Sequence, residues 1–393
     1  MKLTSNLIKV GLSSALTACV VAAPAVAQVE VGVINSLSGT FAAFGDRYNA
    51  GMEVALEEIN ANGGINGQPL ELIIEDDRSD AQSALAAVES LKNQGVPMII
   101  GSYASGITGP MSKLTTRQEI PLLVLGSADD TITKPGSDWV FRAKHNSTIV
   151  ATAYINYLKE LRQANPDLKT IAFMHGNGAW PTSIVKAAVS KAEDAGFDVV
   201  GNQAYDQGTT DFRPILNKFR SANPDILMTS SYADDGIAIA RQIAEVGLKP
   251  KVVAIDTASS TVSFIEQVGS NAENIVSAVS WSPDVQYEGT PELYARLKAK
   301  TGEEPSFYEA EGYLALTIAA DALRRADSLD RTQVRDALKA TDLKTPVTDV
   351  VFEDFDGFKN QNPIRSAIIQ IQDGKHVTVS PKDVAAGQPR MSN

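Results

Sequence analysis

The sequence predicts an α/β protein built as two lobes, each a mainly parallel sheet flanked by helices. Three observations carry that expectation. The chain is 393 residues long, more than one compact core ordinarily serves. Short apolar runs alternate with segments of helical spacing, the pattern of βαβ units with right-handed crossovers. After WVFRAKHNS, residues 139–147, the same order starts again.

The first half reads as follows. VEVGVI (29–34) is a strand, and residues 46–60 are a helix with Asp46 placed to cap it. GGINGQ is a turn, LELIIED a strand, and residues 80–94 a helix begun by Asp80. VPMIIG is a strand, 106–118 a helix and IPLLVLG a strand. In the second half a helix spans 148–163, LKTIAFMH (168–175) is a strand, and 181–195 is a helix with Pro181 in its first turn. FDVVGNQAY is a strand, Asp211 starts a helix, PDILMTSSY is a strand, 234–246 a helix and KVVAID a strand. Asp80 to Tyr103 spans 23 positions and Asp211 to Tyr232 spans 21, so GSYASG (101–106) and SSYADD (230–235) end equivalent strands of a structural repeat.

Beyond the repeat, IVSAVSW (275–281) is a strand, while about 307–326 and RTQVRDALKAT are helices. TDVVFEDFDG and SAIIQIQDG form a hairpin-like pair. Elements added to both lobes after both are built require several crossings rather than one linker. The expected division is lobe 1 over 28–145 plus 279–345, lobe 2 over 146–278 plus 346–380, and a loose tail over 381–393.

Residues 1–27 stand apart. Lys2 and Lys9 precede the apolar run 10–23, and Ala25-Val26-Ala27 is a small-residue cleavage pattern, which together read as a cleaved secretory signal peptide. Leu16-Thr17-Ala18-Cys19 also fits a lipobox that would place a lipid on Cys19, but residues 20–27 are apolar where a lipoprotein begins with a polar tether. Cleavage after Ala27 removes the sole cysteine and moves the formal charge from −12 to −14. That acidity argues against nucleic acid and anionic membrane as partners.

Ligands of open α/β sheets bind beyond the carboxyl ends of the strands. Those ends contain Phe44, Tyr103-Ala104-Ser105, Gly126-Ser127-Ala128, Trp180, Tyr232 and Asp256, a set rich in hydroxyls and aromatics. Ser105 at a helix start either receives an anionic oxygen or only caps the helix. Asp256 either binds an ammonium or caps a turn. Phe44 and Trp180 on glycine-containing loops either pack under the loop or wall a pocket. Catalytic readings lack support: no GxGxxG or GxxxxGK[ST] follows a strand, no G-x-S-x-G elbow is present, and His145, His175 and His376 show no metal spacing. The acidic runs Glu75-Asp76-Asp77 and Asp354-x-Asp356-Gly357 suggest calcium loops, but the second lacks the remaining ligand spacing and reads as a turn. No catalytic residue, metal or cofactor is expected.

VGVINSLSGTFAAFGDRYNAGMEVALEEINANGGINGQPLELIIEDD (31–77) resembles the amino terminus of the periplasmic solute-binding proteins of branched-chain amino acid ABC transporters. The resemblance covers essentially the whole mature chain and is sharpest in S-G-x-x-A-x-x-G and I-N-x-x-G-G-I-x-G. It implies a two-lobed type I "Venus flytrap" with three hinge crossovers, usually monomeric, that delivers its ligand to a membrane permease from the periplasm. It further implies that Ser105 and nearby N–H groups hold the ligand carboxylate and that the Gly126 carbonyl takes part of an α-amino group. Tyr232 and Asp256 then complete the ammonium site, while Phe44, Trp180, Tyr308, Tyr103 and Ala104 surround an apolar or aromatic side chain. Two departures stand out. Ala128 occupies a position where amino-acid binders commonly carry Thr, and Asp129 beside it would repel a carboxylate if it faced inward. The disulfide that some relatives form at the positions of Ser79 and Ala104 is absent. An amino acid-like ligand is the first expectation; an aromatic carboxylate, amide or urea-type ligand, or a sensory role through a membrane receptor, are the alternatives.

Overall fold

The computed structural model describes residues 28–392, so the expected signal peptide and Cys19 lie outside the described residues. The first half runs β1 (Val29–Asn35), α1 (Ala42–Ala61), β2 (Leu70–Asp76), α2 (Ala81–Asn93), β3 (Ile99–Gly101), α3 (Ser105–Arg117), β4 (Leu122–Val124) and β5 (Val140–Arg142). The second runs α4 (Ser147–Ala164), β6 (Thr170–Gly176), α5 (Ala179–Asp194), β7 (Asp198–Tyr205), α6 (Arg213–Ala222), β8 (Ile226–Ser231), α7 (Ala233–Glu245), β9 (Val252–Thr257), α8 (Val262–Val268) and β10 (Val276–Val279). There follow α9 (Thr290–Thr301), α10 (Phe307–Arg325) and α11 (Arg331–Lys339). Six short strands complete the chain: β11 (Asp342–Leu343), β12 (Val350–Val351), β13 (Glu353–Phe355), β14 (Phe358–Gln361), β15 (Ala367–Gln372) and β16 (Lys375–Ser380).

Fourteen of these strands form two seven-stranded sheets, β13-β14-β5-β4-β3-β1-β2 and β16-β15-β10-β9-β8-β6-β7, while β11 and β12 pair with each other. The orders agree over five strands, β5-β4-β3-β1-β2 against β10-β9-β8-β6-β7, with β3 matching β8. At the edge the two hairpin strands are added in opposite order, β14 parallel to β5 and β15 antiparallel to β10. Tyr103 and Tyr232 therefore follow equivalent strands, as their spacing predicts. The central pairs β1–β2, β1–β3, β6–β8 and β8–β9 are all parallel. The central strand Ile226–Ser231 is buried throughout, while the edge strand β2 is buried only at Leu70.

Local chemistry explains where the boundaries fall. Asp80 caps α2 by accepting from Ser83 N at 2.8 Å. Asp46 does not cap α1, which starts a turn earlier with Phe41 as its first flanking residue. The α1–α10 crossing is close: a Cβ on Gly312 would lie 2.1 Å from the Tyr48 carbonyl oxygen, so only glycine lets the two backbones meet there. That approach brings Tyr48 onto Glu311, whose Oε2 accepts from the tyrosine hydroxyl at 2.9 Å.

The chain passes between sheets three times, at 143–146, after Val279 and at 362–366. Gln361 Nε2 donates to the Lys144 carbonyl at 2.8 Å, Asn362 Nδ2 donates to Ala143 O at 3.0 Å, and Ser366 Oγ lies 2.8 Å from His145 Nδ1. The first and third crossings are thus bonded to each other. Asn146 caps α4 where the first crossing ends, accepting from Ile149 N at 2.8 Å. Asn146→Ala is expected to cost about 1 kcal/mol of stability, and urea unfolding checks it.

The late segment differs from expectation. TDVV and SAIIQIQ do not pair. Instead β13 and β14 form one hairpin on the first sheet and β15 and β16 another on the second. Residues 353–361 therefore sit with the first lobe, and the third crossing falls at 362–366 rather than near 346. Asp356 and Gly357, at φ 50° and 80°, make the tight turn expected of Asp-Gly. The expected loose tail is pinned along the second sheet: Gln370 Nε2 donates to Arg390 O at 2.7 Å, and Ser392 N donates to Lys251 O at 3.0 Å. Its own carbonyls and amides supply the anchoring, which composition does not reveal.

Candidate functional site

The carboxyl ends of both sheets face one another across a narrow cleft lined by residues of both lobes. Its walls include Tyr103, Ser105, Gly126 and Ala128 from the first lobe and Trp180, Tyr232 and Asp256 from the second. Tyr308, at the start of α10, closes one end. The lobes meet at the rim: the Phe41 and Tyr232 rings are 5.1 Å apart, and Asp130 N donates to Ser183 Oγ at 3.2 Å.

Ser105 is the first helical residue of α3, and Ala104 before it is the flanking one. The capping reading of Ser105 is therefore set aside. Its Oγ accepts from Asp129 N at 3.1 Å, which leaves the hydroxyl proton for the cleft. The Ser105 and Gly106 amides belong to the first turn and have no intrahelical acceptor, so this corner favours an anionic oxygen. Asp129 does not face inward. Its carboxylate accepts from Thr131 N at 3.1 Å and Thr131 Oγ1 at 2.9 Å, closing a short turn.

Gly126 must be glycine, because a Cβ would lie 2.8 Å from the Tyr48 hydroxyl and 2.9 Å from Tyr103 Cα. Opposite, Asp256 is buried and its Oδ1 accepts from the Tyr154 hydroxyl at 2.7 Å. Tyr154 in turn accepts from Ala278 N at 2.8 Å, which fixes the ring. Burial pushes the Asp256 carboxyl up to about 6, against the opposing pull of Tyr154, Ala278 N and Lys144. Its Oδ2 meets only Thr257 Oγ1, at 3.5 Å. The Tyr308 hydroxyl is buried without a hydrogen-bond partner.

Three expected site residues stand behind the wall. Phe44 stacks on Tyr103 with centroids 4.7 Å apart and touches Tyr308 at 5.1 Å, so it buttresses the aromatic wall. Ala104 supplies backbone to the α3 start. Ser127 Oγ is spent within the lobe, where its one proton has Thr108 Oγ1 at 2.6 Å and Tyr103 O at 3.0 Å as acceptors. The acidic run 75–77 also works inside the lobe: Asp76 accepts from Leu37 N at 2.9 Å, and buried Asp77 accepts from Ser36 Oγ at 2.7 Å and from Ser102 Oγ.

Sequence reasoning missed Lys144, His145, Val150, Ala278 and Phe307, which also line the cleft, as does Thr257 beside Asp256. Lys144 Nζ donates to the Gly126 carbonyl at 2.9 Å and to Glu311 Oε2 at 3.2 Å. The available signal was a lysine between an apolar strand and a capped helix, within a segment read only as a boundary. Burial, with Lys144 and Arg142 nearby, holds His145 well below its usual range, so it is neutral at pH 7.

A family model described as periplasmic binding protein matches residues 28–375. The chain belongs to the periplasmic binding protein family. Among relatives, the Leu/Ile/Val-binding protein homolog 7 of Brucella abortus (strain 2308) is 30% identical over 388 residues, covering 94% of this chain and 96% of that one. The fold is shared with the branched-chain amino acid transporter substrate-binding protein LivJ from Streptococcus pneumoniae in complex with isoleucine (TM-score 0.80, 22% identity, 90% of this chain and 100% of that one). It is shared as well with an ABC transporter solute-binding protein from R. palustris in complex with benzoate (TM-score 0.78, 16% identity, 93% and 98%). The two-lobed type I periplasmic-binding fold with three crossings is therefore the fold of this chain. No helix among the described residues is long and apolar enough to cross a membrane.

Proposed function

We propose that the protein captures a small organic carboxylate of amino-acid size between its lobes and delivers it to an ABC permease, as a periplasmic receptor released from its signal peptide. The observation that carries this reading is the corner formed by Ser105 and the first amides of α3, facing aromatic walls at Tyr103, Tyr308, Trp180 and Tyr232. Anion donors at one end and apolar rings around the remainder suit a carboxylate with an apolar or aromatic body. In the amino acid-like form of this reading, an α-ammonium lies between Asp256 and Tyr232. An acid without that group is the second form, favoured by the hold of Lys144 on the Gly126 carbonyl.

Calorimetric titration of leucine, phenylalanine, benzoate and 3-phenylpropionate tests the reading. Ser105→Ala is expected to weaken whichever carboxylate binds by about tenfold or more, the value of one hydrogen bond to a charged group. Parent-like affinity in that variant removes Ser105 from the site. Capture of a permease from membranes only when ligand is present supports delivery; ligand-dependent capture of a chemoreceptor or sensor kinase instead replaces delivery by signalling.

A further inference from the structure

Among the cleft-lining residues, Lys144 brings an ammonium of the protein's own into a site where it is nearly inaccessible to solvent, with 6% of its side chain exposed. Two of its three N–H donors are committed, to Gly126 O at 2.9 Å and Glu311 Oε2 at 3.2 Å. Glu311 is itself anchored from behind, its Oε2 accepting from Tyr48 and its Oε1 from Ser280 Oγ at 2.7 Å. The lysine cannot swing away without leaving a buried carboxylate unpaired, a costly state. The Gly126 carbonyl, a backbone acceptor of the cleft wall, is therefore already taken by a cation that belongs to the protein.

Two consequences follow for a ligand. An incoming ammonium at this wall must share the Gly126 carbonyl with Lys144 and lie beside a like charge. A carboxylate gains the third N–H of Lys144 in addition to the Ser105 hydroxyl and the α3 amides. We infer that Lys144 is a specificity-determining residue that occupies the place of an amine, so that the solute is a monocarboxylate with an apolar or aromatic body and no ammonium group. This inference rests on the carboxylate reading of Ser105 given above. Asp256 on the opposite wall then meets a hydroxyl of the solute or retains its own proton.

Matched pairs that differ only in the α-ammonium test it: 3-phenylpropionate against L-phenylalanine, and 4-methylpentanoate against L-leucine, titrated by calorimetry into protein stripped of retained ligand by unfolding and refolding. In the parent protein the deamino acid of at least one pair is expected to bind at least about tenfold tighter than its amino acid. Lys144→Met is expected to weaken that acid by about tenfold and to bring its amino acid level with it or ahead. Because Lys144→Met strands Glu311, the Lys144→Met/Glu311→Gln double variant is measured beside it. Amino acids binding as tightly as their deamino partners in the parent, or an unchanged ratio in the double variant, overturn the inference while leaving the carboxylate reading in place. If no member of either pair and no benzoate binds, the carboxylate reading falls and this inference with it.

Discussion

Arg142→Leu is expected to lower the unfolding free energy by about 4 kcal/mol, through the acceptors it leaves unpaired. Arg142 is fully buried at the end of β5. Its Nε donates to Gln361 Oε1 at 2.7 Å, its Nη1 to Asp129 O at 2.8 Å and Ser127 O at 3.4 Å, and its Nη2 to Thr133 Oγ1. Burial pulls the guanidinium down to about 10, with Asp130 and Asp129 acting in the opposite sense, so it stays charged at neutral pH. Leucine replaces the stem but none of the donors, and two carbonyls, a glutamine and a threonine then lose their partner. The damage reaches the site, since the Gly126–Asp129 loop hangs from this guanidinium and Gln361 ties two crossings together. Urea unfolding at pH 7 measures the loss; a change below about 1 kcal/mol shows that water or rearrangement satisfies these groups.

The second large effect is in pH. An Asp carboxyl ordinarily titrates near about 4, whereas burial holds that of Asp256 up at about 6 in the folded protein. The folded state therefore binds this proton more tightly than the unfolded state. Stability from this group is full below about pH 4, falls as pH rises through about 6, and is level above that, a total of about 3 kcal/mol. The groups that face the carboxyl are Tyr154 from α4, Lys144 from the first crossing, Thr257 beside it and Tyr308 from α10. Asp256→Asn keeps the acceptor for Tyr154 and removes the titration. The difference in stability between parent and variant, measured without ligand from pH 4 to 8, is expected to grow in favour of the variant up to about pH 6 and then flatten. A difference that is constant across that range would show that Asp256 ionises normally. Ligand binding reads the same proton. An acid without an ammonium favours protonated Asp256 and binds more tightly as pH falls through about 6, while an amino acid does the opposite.

The repeat was the most legible feature. Spacing between the aspartates near two helix starts and the two Tyr-bearing strand ends needs only the local rules of strand, turn and helix. The five parallel strands of each sheet share one order, although only Asp80 caps its helix and α6 begins at Arg213 after Phe212. Boundaries were less legible where tertiary partners serve the backbone: Asp46 had the chemistry of a cap, but α1 begins at Ala42, and the amide of the flanking Phe41 is met by Ser79 Oγ at 3.0 Å. The hairpins β13–β14 and β15–β16 were misjudged because each uses its nearest antiparallel neighbour, and which sheet receives them is a matter of crossing geometry.

For the site, Tyr103, Ser105, Gly126, Ala128, Trp180, Tyr232, Asp256 and Tyr308 come together in one cleft. Most of them could be located because strand ends of parallel sheets converge on the ligand side. Phe44 lies in the first turn of α1 rather than on a loop, and it and Ser127 turn into the lobe, toward Tyr103 and Thr108. Rotamer and packing decide that, and neither is encoded in spacing.

By itself, then, the sequence determined two repeated α/β lobes and the strand ends at which a ligand is met, because alternating apolar runs and capping residues act over a few positions each. Only the tertiary structure decided what those ends offer. Lys144 and Glu311 are 167 residues apart in the chain, and they become one buried pair on the Gly126 carbonyl only when α1, α10 and the first crossing pack together. Tyr154 and Asp256, 102 residues apart, likewise become one hydrogen-bonded unit only across the folded second lobe. Charge in a site depends on burial and on which partner stands within hydrogen-bond reach, and those are properties of the assembled chain.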